Sequence, residues 1–254
     1  MSTRLSRTQF RNQLLSLMDQ KHHWAWSIFS GPAIAKSKLK LHYQQEFGVY
    51  VRDFPVFLAR IYGQNPPADV RAMLAENIYE EDTGRLSLGR SHPELFLKMM
   101  KGLRYPAKAF THITLLPASR HYRLWLDRVS VHQDWVVGAA VLTIFVEGSK
   151  HDRQELQAST VPMTRKRLEA IVRQHPLVCH HGVSPDAMDL TRAHQMVENG
   201  HRHDAYNMVV THATTRARQD AVLVAIKKSL RLWLRYREGV ALACRVRPLS
   251  RERA

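Results

Sequence analysis

The sequence predicts an all-α fold, a bundle of about eight to ten helices. Apolar residues recur at intervals of three and four through most of the 254-residue chain. No segment shows the apolar-polar alternation of a half-buried strand. One stretch, residues 131–147, is apolar on nearly every side and is therefore expected at the centre of the bundle.

The helices are bounded by ordinary start and stop signals. Pro67 begins one helix and Gly84 ends it, whereas the pair His92-Pro93 opens the next after a polar loop. Pro55 is expected to kink a long helix that precedes them. The predicted helices span residues 10–18, 33–62, 69–81, 92–100, 121–129, 131–147, 153–175, 184–212 and 216–243.

Composition limits the class of protein. The net charge is +16. Arg and Lys recur at helical spacings along the chain, including residues 216–228 and 231–253, and we interpret them as solvated helix faces. No recognition helix, zinc finger or aromatic RNA platform occurs, so nucleic-acid binding is not favoured. The longest apolar run, residues 135–146, is too short to span a bilayer. We expect a cytoplasmic protein with reduced cysteines, one domain over 1–244 and a basic tail over 245–254.

The spacing of His194, Glu198 and His201 is the strongest functional signal. Offsets of four and three residues place the three side chains on one face of a helix. Composition alone predicts about 0.08 occurrences of this spacing in such a chain. The alternative is a helix face whose histidines pair with nearby acids such as Asp189. The pattern favours half of a metal site.

Three further residues are candidates to complete the site. Glu147 ends the apolar central helix, where a carboxylate without a metal or partner would be costly. Glu81 closes the helix that Gly84 terminates, and His92 begins the next. Each has a simpler interpretation, as a solvated helix end for the two acids or as a capping neighbour of Pro93 for His92. Together with the triplet they give three histidines and three carboxylates, a set that suits two metal ions.

These segments resemble the heme-oxygenase-like diiron oxidases and oxygenases, whose bundle is shared with the TenA thiaminases and PqqC; the p-aminobenzoate synthases are a similar branch. The resemblance covers about residues 41–201 and is carried by Arg52-Asp53-Phe54-Pro55, by residues 75–84, by His92-Pro93-Glu94-Leu95-Phe96, by Glu147 and by the triplet. It implies a heme-oxygenase-like (TenA/PqqC-like) helical bundle. It also implies metal ligands at Glu81, His92, Glu147, His194, Glu198 and His201.

The implied activity is that of a non-heme diiron enzyme, with two iron ions, O2 as co-substrate and Glu147 and Glu81 as catalytic residues. Manganese, an external reductant, an anionic small-molecule substrate and a homodimer are compatible with it. The family usually has Asp where this chain has Glu198. Ser27 and Gln157 stand where the p-aminobenzoate synthases place a consumed tyrosine and a lysine, so that chemistry is not implied. Glu46 is the nearest candidate for the extra glutamate of some members.

Other activities of the same fold stay open at this point. A cofactor-free PqqC-like oxidase would lack convergent ligands. A TenA-like thiaminase needs an active-site cysteine, and Cys179 lies in a predicted loop. A heme oxygenase would use a histidine such as His22 or His23. A non-catalytic basic binding protein with a degenerate site is the alternative outside enzymes.

Overall fold

The computed structural model describes residues 3–157 and 163–248, and for residues 198–201 it describes the helix but not the side chains. Those ranges contain thirteen α-helices and no β-strand, which confirms the all-α prediction, although the predicted number of eight to ten helices is too low. The helices are α1 (Arg7–Met18), α2 (Ala25–Phe29), α3 (Lys36–Glu46), α4 (Phe54–Tyr62), α5 (Ala68–Thr83), α6 (His92–Gly102), α7 (Pro117–His132), α8 (Trp135–Ala139), α9 (Asp152–Gln157), α10 (Arg165–Gln174), α11 (Pro176–His181), α12 (Asp189–His212) and α13 (Arg216–Ala243).

The central apolar helix is where the sequence predicts it. Helix α8 runs directly into a π-helical segment, Ala140–Val146, and every residue from 136 to 145 is buried. Helices α7, α12 and α13 pack against this segment. A π-helical turn inserts an extra residue and is frequent at functional sites. The π-helical segment ends at Glu147, so the packing of the buried segment before it fixes the position of this residue.

The predicted helix over residues 33–62 is wrong as one continuous element. It is divided into α3, a π-helical segment Phe47–Val51, and α4. Asp53 leaves helical geometry with φ −114° and ψ 14°, and Pro55 lies in the first turn of α4. Proline is tolerated there because that N–H has no intrahelical partner. Pro55 therefore helps to start a new helix instead of kinking an old one.

The connection between α5 and α6 follows its sequence signals. Gly84 ends α5 in the left-handed conformation, φ 61°, and a Cβ at this position would lie 2.0 Å from the carbonyl oxygen of Arg90. Ser91 caps α6 through a reciprocal pair of hydrogen bonds with Glu94. The tight return of residues 84–91 places His92, the first residue of α6, beside the last turn of α5.

The C-terminal part of the chain also matches in outline. Helix α13 covers the predicted range, whereas the predicted helix over 153–175 becomes α9 and α10 on either side of residues 158–162, which lie outside the described ranges. Residues 249–254 of the predicted tail are outside them as well, so the division at residue 244 stays a prediction. Within the described ranges, no helix has the length and apolar character needed to cross a bilayer.

Candidate metal centre

One cavity of about 520 Å³ lies inside the bundle, and four of the six predicted ligands line it. We call these four the carboxylate–histidine cluster: Glu81, His92, Glu147 and His194. They come from α5, α6, the end of the central π-helical segment and α12. The side chains of Glu198 and His201 lie outside the described residues. Their neighbours Val197 and Arg202 on α12 line the same cavity.

His92 has a carboxylate next to each ring nitrogen. Its Nδ1 lies 2.9 Å from Glu81 Oε1, and its Nε2 lies 3.3 Å from Glu80 Oε1. The first contact lacks the alignment of a hydrogen bond, so Nδ1 is a buried polar atom without a hydrogen-bond partner. In metal-binding histidines a carboxylate commonly holds one ring nitrogen, and the other nitrogen binds the metal beside a second ligand. Glu80 and Glu81 stand in these two positions at His92.

The electrostatic balance at His92 favours positive charge at this position. Burial alone disfavours the imidazolium, but the attraction of Glu81 and Glu80 outweighs burial and raises the pKa of His92. A metal cation would supply the same positive charge to the two carboxylates. The pair His92 and Glu81 is therefore electrostatically suited to a cation.

Glu80, which sequence reasoning missed, organises the turn before His92. It is fully buried and accepts hydrogen bonds from the backbone N–H of Leu86, at 2.8 Å, and from the hydroxyl of Ser87. The acidic run Glu80-Glu81-Asp82 looked like a solvated helix end. The available signal was its position: Glu80 follows Leu74 and Asn77 at intervals of three, on the buried face of α5.

Asn77 is the second residue that sequence reasoning missed. Its Nδ2 donates to Glu147 Oε1 at 2.8 Å, and the side chain is buried one turn before Glu81 on α5. This hydrogen bond joins α5 to the end of the central segment and orients one oxygen of Glu147. An asparagine in register with Val70 and Leu74 on the inner face of α5 is a signal that could have been used.

His194 is close to His92, with ring centroids 5.0 Å apart and ring planes at 64°. Helix α12 is continuous through residues 194–201, which confirms the helical register assumed for the triplet. In the part of the chain whose side chains are described, however, no group of three or more His, Cys, Asp or Glu residues is close enough to hold a metal ion. The structure brings His92 together with Glu81 and His194, and the six-residue set stays a prediction.

Glu46 is occupied by other partners. Arg237 donates to its Oε1 at 3.0 Å, Tyr50 donates to the same oxygen, and His42 Nε2 lies 3.6 Å from Oε2. Burial alone would raise the pKa of Glu46, but the charges of Arg237 and His42 outweigh burial and lower it. We call Arg237, Glu46 and Tyr50 the arginine cluster. It lines the same cavity as the carboxylate–histidine cluster.

The interpretation of all C-terminal basic residues as solvated faces is wrong for Arg237. Its exposed fraction is 5%, and it packs against Trp26, Trp233 and Tyr236. The reason is Glu46, 191 residues earlier in the chain, which neutralises the guanidinium inside the core. A pairing over this distance has no local sequence signal.

Lys21 is a second basic residue that points into the protein, which the sequence did not reveal. Its Nζ donates to the backbone carbonyls of Phe145 (2.5 Å), Gly148 (2.6 Å) and Val146 (3.2 Å). These bonds use all three ammonium N–H groups and fix the chain on both sides of Glu147. Burial lowers the pKa of Lys21 to about 7, although Asp152 opposes the shift.

The comparisons with known proteins identify the family and the fold of the chain. A family model described as iron-containing redox enzyme, Haem_oxygenas_2, matches residues 41–234. The chain belongs to this family of iron-containing redox enzymes. Among solved structures, a TenA homolog from Pseudomonas syringae pv. tomato is similar with a TM-score of 0.68 and 13% identity, over 95% of this chain and 98% of that one. This likeness confirms the heme-oxygenase-like fold. A comparison with curated proteins found no match.

The structure also bears on two alternative activities of the fold. Cys179 is exposed and Cys244 is buried, and neither lines the cavity, so no cysteine is placed as in a thiaminase. His23 uses both ring nitrogens, since Nε2 lies 3.0 Å from Glu238 Oε2 and Nδ1 accepts from the N–H of Ala25. His23 is therefore not available as an axial ligand to haem, whereas His22, the other candidate, is exposed and lies on the cavity wall.

Proposed function

We propose that this chain is a non-heme diiron enzyme that activates O2 to oxidise a small-molecule metabolite. The reaction would be an oxidative C–C cleavage, a desaturation, a hydroxylation or an N-oxygenation. The family supports iron and redox chemistry. The observation that carries the proposal is the pair at the cavity wall, where buried His92 Nδ1 lies 2.9 Å from Glu81 Oε1 without a hydrogen bond.

The donor set fits iron. Buried His92 Nδ1 and Glu81 Oε1 face each other without the alignment of a hydrogen bond, as two donors to one cation would. Glu80, on the other nitrogen of His92, holds the ring in place as the outer carboxylate of a metal-binding histidine does. Imidazole and carboxylate donors suit iron or manganese, whereas structural zinc sites are usually rich in thiolates.

The residues that would hold two metal ions share one cavity or one helix face. They are Glu81, His92, Glu147, His194, Glu198 and His201, with Glu81 and Glu147 as the catalytic carboxylates. Iron, when bound, supplies the one-electron chemistry with O2 that protein side chains do not provide. Any electrons beyond those of the substrate would come from an external reductant.

The protein's own contribution is to position these groups and to enclose the substrate. Asn77 orients Glu147, Glu80 orients His92, and Lys21 fixes the backbone around Glu147. The cavity wall combines apolar and aromatic side chains, with Phe54 and Trp233 among them, with charged and histidine side chains. Its apolar part lowers the local dielectric constant and so strengthens electrostatic interactions at the charged groups.

Anaerobic titration of the metal-free protein with Fe(II) tests the proposal. Mass-spectrometric metal analysis after removal of unbound iron should give about two ions per chain, and exposure to O2 should produce a transient visible absorption band. His92→Ala and His194→Ala should each remove at least one ion, whereas His112→Ala, a change at an exposed histidine, should not. A wild-type protein that binds one ion or none, or whose spectrum O2 leaves unchanged, contradicts the diiron function.

A further inference from the structure

Arg237 has hydrogen-bonding capacity that the protein does not use. Its Nη2 donates to Glu46 Oε1 at 3.0 Å and lies 3.2 Å from the hydroxyl oxygen of Tyr50. Its Nη1 and Nε are buried and have no hydrogen-bond partner. Nη1 carries two N–H groups and Nε carries one, so three of the five donors of this guanidinium lack an acceptor.

The aromatic neighbours do not replace these acceptors. The Cζ atom of Arg237 lies 4.9 Å from the ring centroid of Trp26, 5.2 Å from that of Trp233 and 4.9 Å from that of Tyr236. Ring faces stabilise the positive charge, but an N–H directed at a ring is only a weak hydrogen bond. Arg237 lines the cavity, but its unused donors are themselves covered, so an anionic ligand reaches them when a neighbouring ring at the wall shifts.

The charges around the arginine cluster single out Arg237 as the contact for an anion. Glu46 neutralises Arg237 through the hydrogen bond to its Oε1. Lys21, on the same cavity wall, has committed its three N–H groups to backbone carbonyls, so it has no free donor. Burial lowers the pKa of Lys21 to about 7, so near neutral pH it adds only part of a positive charge. Arg237 is therefore the group that can contact an anionic ligand directly.

We infer that Arg237 binds the carboxylate of the substrate, and that the cavity takes a small organic acid with an apolar or aromatic body. The volume of about 520 Å³ is in the range of small-molecule sites. Phe54, Trp26 and Trp233 on the wall suit the apolar body. The inference rests on the proposed function in that the same cavity holds the carboxylate–histidine cluster, where the rest of the acid would react.

Calorimetric titration of the metal-free protein separates this inference from the iron chemistry. The probes are 4-phenylbutyrate and its neutral counterpart 4-phenylbutanamide, which differ only in the group that would meet Arg237. We expect saturable binding of the acid and binding of the amide that is weaker by about tenfold or more. Absence of saturable acid binding up to about 10 mM, or equal affinities for the two probes, overturns the inference.

Variants locate the contact. Arg237→Gln should weaken binding of the acid by about tenfold or more and leave binding of the amide within about twofold. Arg235→Gln removes the same charge from an exposed position two residues away on α13, and it should leave both affinities unchanged. If Arg237→Gln does not fold because Glu46 is left buried alone, the double variant Glu46→Gln/Arg237→Gln provides the measurement. Full acid affinity in a folded variant without Arg237 overturns the inference.

Discussion

Asn77 and Glu147 are joined by a hydrogen bond of 2.8 Å between two elements that are 70 residues apart in the chain. Asn77→Ala removes the donor that orients Glu147 Oε1. Loss of such an outer contact typically lowers metal affinity by about 10- to 100-fold. We expect a change of that size in the dissociation constant for Fe(II), measured anaerobically by competition with a chelator.

The control for Asn77 lies one residue before it on the same helix. Glu76 is exposed, and Glu76→Ala should leave the Fe(II) affinity of the protein unchanged. Both variants should retain the helical circular dichroism of the wild type. An Asn77→Ala protein that binds Fe(II) as tightly as Glu76→Ala would show that Asn77 does not position a ligand.

Glu80 provides a prediction about stability. Its buried carboxylate accepts from the N–H of Leu86 and the hydroxyl of Ser87, and it contacts His92. Glu80→Ala leaves these groups without their acceptor in the interior. Removing one partner from a buried charged network costs about 3 kcal/mol or more of unfolding free energy. Urea denaturation should show this loss for Glu80→Ala and less than about 0.5 kcal/mol for Glu76→Ala. Similar urea midpoints for Glu80→Ala and Glu76→Ala would show that Glu80 does not hold the turn before His92 in place.

The sequence predicted the helices well because their signals are local. Gly84, the pair His92-Pro93 and the apolar spacing of α13 act within a few residues, so the end of α5, the start of α6 and the extent of α13 could be predicted directly. The π-helical segments could not be predicted in this way. A π-helical turn costs local hydrogen-bond geometry and persists only where the surrounding packing favours it.

Some residues of the site could be predicted from the sequence and others could not, again because only local signals can be recognised in a single sequence. Four proposed ligands line one cavity; His194 was proposed from its helical spacing, and the shared set is what the family resemblance implies. Asn77 and Glu80 act through contacts with a remote segment or a folded-back loop, which no local pattern encodes. Arg237 was assigned to solvent because its partner, Glu46, lies 191 residues away. A charged side chain is buried only where a neighbour in the folded protein neutralises it, and a single sequence does not identify that neighbour.

The lowered pKa of buried His42 makes the stability of the protein depend on pH. It is buried and stacks on Phe29 at 4.4 Å, and burial lowers its pKa from 6.5 to about 4, although Glu46 opposes the shift. Between these values the unfolded chain binds a proton and the folded chain does not. The contribution of His42 to stability is therefore present above pH 6.5 and is lost as the pH falls towards 4.

His42→Phe removes this titration and keeps an aromatic ring against Phe29. Between pH 7.5 and pH 5.0 the wild type should lose about 2 kcal/mol more unfolding free energy than the variant. Urea denaturation at the two pH values measures the difference. His112→Phe, at an exposed position, should lose as much as the wild type. Equal losses for wild type and His42→Phe would show that His42 does not cause the acid destabilisation.

Alanine substitutions at Gly84 and Gly182 test whether the turn at residues 84–91 positions His92. Both glycines have left-handed backbone conformations, φ 61° and φ 67°, and both end helices. An added Cβ at Gly182 meets nothing within 4 Å, whereas at Gly84 it would lie 2.0 Å from the carbonyl oxygen of Arg90. Gly182→Ala should therefore cost about 1 kcal/mol, the price of a left-handed alanine.

Gly84→Ala adds a backbone clash to that conformational cost. Because the carbonyl of Arg90 belongs to the chain just before Ser91 and His92, it can yield only if the start of α6 moves. We expect a loss of about 3 kcal/mol or more in urea denaturation. Fe(II) affinity should also fall in Gly84→Ala and stay unchanged in Gly182→Ala, because only the first change displaces His92. Equal stability of the two variants would mean that the 84–91 turn is not held against Gly84, and that α6 is positioned by its packing alone.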